Sequence, residues 1–206
     1  MLKEVVETFN IGASYIIGSY ILPGEPIYKI SKTLNQKIKL NITECDKIVA
    51  GVERGEFNLG LIENPIFKRG LIYKEWLRDE LVLCSKVKLP DELDIFWLNR
   101  LNLITRDDKS PTKDTISKFL KEAGLSYRDF NSTIRADNPT ALIQGVKWSR
   151  PDSKNPTVSI VSKIAIDDEV RAGKLHISRI EGLSMVRTFY IVYRRDNIEL
   201  MKKLYF

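Results

Sequence analysis

At 206 residues, with 43% hydrophobic and 29% charged residues, the chain is long enough to bury a core and too apolar for wholesale disorder. No apolar run approaches the ~18 residues of a membrane span, and Met1–Glu7 lacks the basic start and apolar stretch of a secretory signal, so a cytoplasmic protein is expected. The net charge of +6 suggests nucleic acid, but the basic residues are dispersed, densest only at Lys147–Lys154 and at Arg194-Arg195 with Lys202-Lys203. No DNA- or RNA-binding motif accompanies them. Cys45 and Cys84 have no CxxC spacing and are expected as two reduced, buried thiols.

The elements alternate between strand and helix, the order of an α/β protein with a largely parallel sheet. A first strand, Val5 to Ile11, meets the small-residue turn Gly12-Ala13-Ser14. A helical pattern follows, interrupted by Pro23 and Pro26, with a restart near Pro26 and Ile27, Ile30 and Leu34 on one face. Ile38, Leu40 and Ile42 alternate across a strand at Lys37–Ile42. A helix at Asp46–Arg54 stops at Gly55, and Asn58–Ile62 is a short buried strand. Leu71–Leu77 and Glu80–Ser85 read as two strands around Arg78-Asp79.

A weakly marked helix at Asp91–Leu98 precedes a strand at Asn102–Thr105. Ser110-Pro111-Thr112 opens a strong helix that Gly124 ends. After a strand at Ser132–Ala136, Asn138-Pro139-Thr140 opens another, with Asn138 as N-cap and Pro139 in the first turn. The stretch from Trp148 to Pro156 is loop-like. The remaining elements are strands at Thr157–Val161, Lys174–Ile180 and Thr188–Tyr193, and helices at Ser162–Ala172 and Asn197–Tyr205.

Three of these helices start directly after a strand on small polar residues: Ser14, Ser110 with Thr112, and Asn138 with Thr140. A helix N-terminus presents unpaired N–H groups and a partial positive charge, which suits a carboxylate or another small anion. In an open α/β sheet ligands bind outside the carboxyl ends of the strands, so the three could share one cleft. Gly12 would keep the approach open and Ser19 would add a hydroxyl. The alternative is that each residue only caps its own helix. Glu63, just after the Gly60–Ile62 strand, either faces that cleft or is a loop carboxylate.

Catalysis finds little support. The single histidine, His176, sits on a strand beside Leu175 and Ile177, where alternation turns it away from them. Asp107-Asp108 and Asp167-Asp168-Glu169 are adjacent acids that do not face each other as an acid/base pair would. No metal-ligand spacing, phosphate loop or nucleophile elbow is present, so no catalytic residue, metal or cofactor is expected.

The order Ile11-Gly-Ala-Ser-Tyr-Ile-Ile-Gly-Ser-Tyr-Ile-Leu-Pro23, Gly55-Glu-Phe-Asn-Leu-Gly-Leu-Ile-Glu63 and Asp79-Glu-Leu-Val-Leu-Cys84 resembles the effector-binding domain of LysR-type transcriptional regulators. The likeness continues through Ile104-Thr-Arg-Asp-Asp-Lys-Ser-Pro-Thr-Lys113, Val161-Ser-Lys-Ile-Ala165 and Phe189-Tyr-Ile-Val-Tyr-Arg194. The resemblance implies a two-lobe, type 2 periplasmic-binding-protein-like α/β fold with two crossing strands, Glu80–Ser85 and Thr188–Tyr193. It places lobe I at 1–85 with 191–206 and lobe II at 86–190. It also implies a small, anionic effector gripped by Ser14, Tyr15, Ser110, Thr112, Asn138 and Thr140, with Glu63 a further candidate.

The partners it implies are that effector, a second copy of the chain in a homodimer, and DNA through a winged helix-turn-helix domain that this sequence does not contain. A bacterial regulator is the function implied. A transporter's solute-binding protein and an enzyme on the same fold are the alternatives. One departure stands out: where the family has a glycine-rich turn, this chain has the longer basic loop Lys147-Trp-Ser-Arg-Pro-Asp-Ser-Lys-Asn-Pro156.

Overall fold

The computed structural model describes residues 8–108 and 110–204. The first strand expected from the sequence begins outside the described residues, as does the last residue of the final helix, Tyr205. The chain divides into two compact units, one of residues 1–78 with 188–206 and one of residues 79–187.

In the first unit, β1 (Thr8–Ala13) lies between β2 (Lys37–Ile42) and β3 (Leu59–Ile62), parallel to both. Strand β10 (Val186–Arg194) closes the sheet antiparallel to β3, with Ile191 opposite Leu61. After Ser14 the chain enters a tight π-helical turn, Ile17–Ile21, in which the Leu22 N–H reaches the Ile17 carbonyl at 2.9 Å. Helix α1 (Glu25–Leu34) then restarts with Pro26 in its first turn, where the missing N–H costs nothing. Helix α2 (Cys45–Glu53) ends at Gly55, whose φ of 77° is the left-handed conformation a stop requires. Its Ile48, Val49 and Val52 pack with Ile62 and Val192.

Strand β4 (Leu71–Ser85) runs unbroken through the position where two strands are expected. Arg78-Asp79 reads as a polar turn. In the structure Asp79 stays within the strand because its carboxylate is paired, accepting from Arg187 Nε at 2.9 Å and from the Ser162 hydroxyl at 2.7 Å. Both β4 and β10 pass from one unit into the other.

The second unit is built on β6 (Asn102–Arg106), β7 (Ser132–Ala136) and β8 (Thr157–Ser162). Strand β6 is parallel to the other two. Strand β4 joins β8 antiparallel, β9 (His176–Ile180) joins β4 antiparallel, and the two-residue β5 (Glu92–Leu93) joins β9 in parallel. Sheet pairing is therefore mixed rather than largely parallel, because β4 runs against β8 and β9, and β10 against β3. The helix expected at Asp91–Leu98 shrinks to α3 (Ile95–Leu98), capped by the Asp94 side chain. Helix α4 (Pro111–Glu122) and α5 (Pro139–Lys147) follow β6 and β7. The helix expected at Ser162–Ala172 is a 3₁₀ turn, Ile164–Ile166, followed by α6 (Asp167–Arg171). Leu103, Ile116, Leu120, Phe130 and Val158 form the core of this unit.

In the first unit the chain ends with α7 (Ile198–Lys203). No helix among the described residues is long and apolar enough to cross a membrane.

Both cysteines are buried and neither forms a disulfide among the described residues. Burial pushes the Cys84 thiol up to about 12, so it stays protonated and unreactive at neutral pH. Ellman's reagent at pH 8 should titrate no thiol in the native chain and two after unfolding in guanidinium. A thiol released before unfolding would contradict the burial of both.

Candidate functional site

In the first unit the Ser14 N–H donates to the Leu61 carbonyl (2.9 Å), anchoring the turn to the adjacent strand β3. The Ser14 carbonyl then accepts from Gly18 (2.7 Å), which starts the helical turn. Its hydroxyl does not take part in capping. Ser14 is 4% exposed, and Oγ has no hydrogen-bond partner among the described residues.

Two other expectations for this turn change. The face of Gly12 that would carry a Cβ is filled by the Phe57 ring, whose nearest atom lies 2.6 Å from that position. Gly12 therefore makes room for the core rather than for a ligand. Ser19 sits exposed on the π turn. Glu63 is 5% exposed and its Oε1 accepts the Ile16 N–H at 2.9 Å, so its carboxylate serves the first turn directly. Tyr15 is half-buried beside Ser14. The structure thus brings Ser14, Tyr15 and Glu63 together at the carboxyl ends of β1 and β3.

In the second unit β6 and β7 end side by side, with Arg106 opposite Ala136 and the Asp107 N–H on the Ala136 carbonyl (3.2 Å). Helices α4 and α5 therefore begin at the same edge of the sheet. Their N-caps behave differently. Asn138 Oδ1 accepts from the Ala141 N–H (2.9 Å), the expected cap, and its Nδ2 donates to Asp137 (2.8 Å). Ser110 makes no such bond: it is 3% exposed and its Oγ has no partner among the described residues. Thr112 is half-buried in the first turn of α4, and Thr140 is exposed on α5.

Charge at this edge comes from residues that the sequence reading did not place in the site. Arg106, the last residue of β6, has a buried Nε without a partner among the described residues. Asp108 pairs with Lys113 and Arg135. The Lys113 ammonium, with Arg135 beside it, holds the Asp108 carboxyl below the usual carboxylate range, so it stays charged and is neutralised locally. A basic residue ending an apolar strand just before a helix-opening serine is a signal the sequence did contain. His176 is half-buried on β9.

Parallel strands that end on buried hydroxyls, helix starts and an arginine define an α/β domain suited to holding small polar ligands. The sequence matches the LysR substrate binding domain family over residues 3–200, and the chain belongs to that family.

Among curated relatives, the chain is 26% identical over 194 residues to a phosphonates import ATP-binding protein of Anaeromyxobacter dehalogenans, covering 93% of this chain and 38% of the relative. It is 24% identical over 193 residues to a probable RuBisCO transcriptional regulator of Nostoc, covering 90% of this chain and 56% of the relative. The chain thus spans about half or less of the length of these relatives. Among solved structures, the CcmR regulatory domain of Synechocystis in complex with 2-PG matches with a TM-score of 0.75 at 16% identity, over 96% of this chain and 95% of that one. The fold is the two-lobe, type 2 periplasmic-binding-protein-like α/β fold expected from the sequence.

Proposed function

We propose that this chain is the sensing domain of a LysR-type transcriptional regulator and that the strand-end turns at Ser14 and Ser110 bind a small effector. The observation that carries the reading is that both serine hydroxyls are buried and have no partner among the described residues, each in the turn that follows a parallel strand. Such a hydroxyl costs about 1–3 kcal/mol to hold away from water, a cost a ligand oxygen would relieve. Arg106 supplies positive charge for an anionic effector at the second-unit turn. Thr112, Thr140, Asn138 and Tyr15 line the same turns. The complex of CcmR with 2-PG supports a small-molecule effector in a domain of this fold.

On this reading the domain is not an enzyme and works in the cytoplasm. It acts as a homodimer and reaches DNA through a separate domain, biasing that domain by a shift in conformational populations. A thermal-shift panel of small carboxylates, phosphate esters, sulfate and amino acids should identify a stabilising compound, because a saturating ligand raises stability by RT ln(1 + [L]/Kd). With that compound, Ser14→Ala and Ser110→Ala should each weaken binding by about 1.5–3 kcal/mol in calorimetry, roughly ten- to a hundred-fold. Arg106→Gln should weaken it further if the ligand is an anion. Unchanged affinity in both serine variants would sink the assignment.

A further inference from the structure

The second unit holds a pocket of ≈ 310 Å³ lined by Lys86, Lys147, Trp148, Gly173 and Lys174. It lies where β4 ends, where α5 ends and at the turn that follows α6. Serine and asparagine mark the opposite end of the α4 and α5 helices, so this pocket is distinct from the strand-end turns described above. It begins at the basic loop that departs from the family's glycine-rich turn.

The pocket has two kinds of wall. One is the Trp148 indole, 81% exposed, its orientation set by a hydrogen bond from Nε1 to Gln144 Oε1 at 3.2 Å. An exposed indole fixed in place is a stacking surface. The other wall is cationic. Lys86 Nζ donates to the Ser149 carbonyl (3.1 Å), Lys147 pairs with Glu169 (3.2 Å), and Lys174 is exposed. The lining thus carries three lysines, and one carboxylate, Glu169, pairs with one of them. Two helix ends would ordinarily add negative character here. Five of the carbonyls there, of Gln144, Val146, Asp168, Val170 and Glu169, already accept from the N–H groups of Trp148, Ser149, Ala172, Gly173 and Lys174. Gly173, with φ of 66°, leaves its side of the pocket open, since a Cβ there would meet nothing within 4 Å.

We propose that this pocket is a second ligand site, which takes a phosphate monoester carrying a flat heteroaromatic ring, the chemistry of a nucleoside monophosphate. The ring lies on Trp148 and the phosphate meets the lysines. The excess of two positive charges matches a phosphate monoester near −2 better than a single carboxylate. The volume, at the low end for small-molecule sites, suits one such unit rather than a dinucleotide.

Titration calorimetry of the whole chain with adenosine 5′-monophosphate tests this. Saturable binding is expected, with adenosine and ribose 5-phosphate each weaker by about tenfold or more, because each lacks one of the two contacts. Trp148→Ala and Lys174→Ala change exposed residues, so the fold survives, and each should weaken binding by about tenfold. Ser110→Ala should leave it unchanged, which separates this site from the strand-end turns. The proposal is overturned by any of four results: no saturable binding, binding that survives both pocket variants, ribose 5-phosphate binding as well as the nucleotide, or loss of binding in Ser110→Ala alone.

Discussion

Asp79→Ala should destabilise the protein by about 3–5 kcal/mol, seen as a lower urea midpoint, because it strands a buried cation. The Asp79 side chain is fully buried and that of Arg187 is 5% exposed, with 2.9 Å between Arg187 Nε and Asp79 Oδ2. The Ser162 hydroxyl donates to the other carboxylate oxygen, so the same change also removes a buried acceptor. Arg187→Met should cost a similar amount, since it leaves the carboxylate uncompensated. The double variant Asp79→Leu with Arg187→Met should recover much of the loss, because an ion pair replaced by apolar groups of like size is often neutral. A double variant as unstable as the sum of the singles would show that the pair's worth lies elsewhere. A single variant within about 1 kcal/mol of the parent would show that water reaches the pair.

Leu120→Ala should cost about 2–5 kcal/mol, the second large effect. Leu120 is 0% exposed on the inner face of α4, packed in the cluster with Leu103, Ile116 and Phe130. Truncation loses transfer energy and leaves a cavity that these neighbours fill only in part. Lys121→Ala, one residue on and solvent-facing, should stay within about 0.5 kcal/mol in the same denaturation series. Leu120→Ala should leave the affinity of a bound effector nearly unchanged, because Ser110 begins the same helix three turns away. Equal stabilities for the two variants would mean that α4 does not anchor this core.

Where a local pattern suffices, the sequence and the structure agree to the residue. Strand β2 is legible because Ile38 and Leu40 alternate with lysines, and β7 because Ala136 is followed by the Asn138-Pro139 helix start. Strand β4 is not, because Asp79 looks like a turn residue until Arg187, far along the chain, accounts for its charge. Strand β5 owes its existence to two residues of β9, and no local pattern marks it.

The candidate site divides in the same way. Helix-opening serines are visible as letters, and Asn138 caps as its position implies. That Ser14 and Ser110 are buried without partners among the described residues is a property of packing that no spacing reveals. Glu63 on the Ile16 N–H and Phe57 against Gly12 are likewise contacts between segments far apart in sequence.

The route of the chain through its two units also sets the order in which they mature on the ribosome. Residues 79–187 are synthesised as one uninterrupted block and hold β5 to β9 with the second half of β4. The first unit starts earlier but is completed later, since Leu61 and Ile62 of β3 find Ile191 and Tyr190 only when the last strand is made. Domains fold as units during synthesis, and pairing across a long loop is slow. The first unit therefore closes after the second, and β3 keeps an open edge until β10 has been made. A chain that stops short of β10 leaves that edge exposed for good, a template for pairing with other chains.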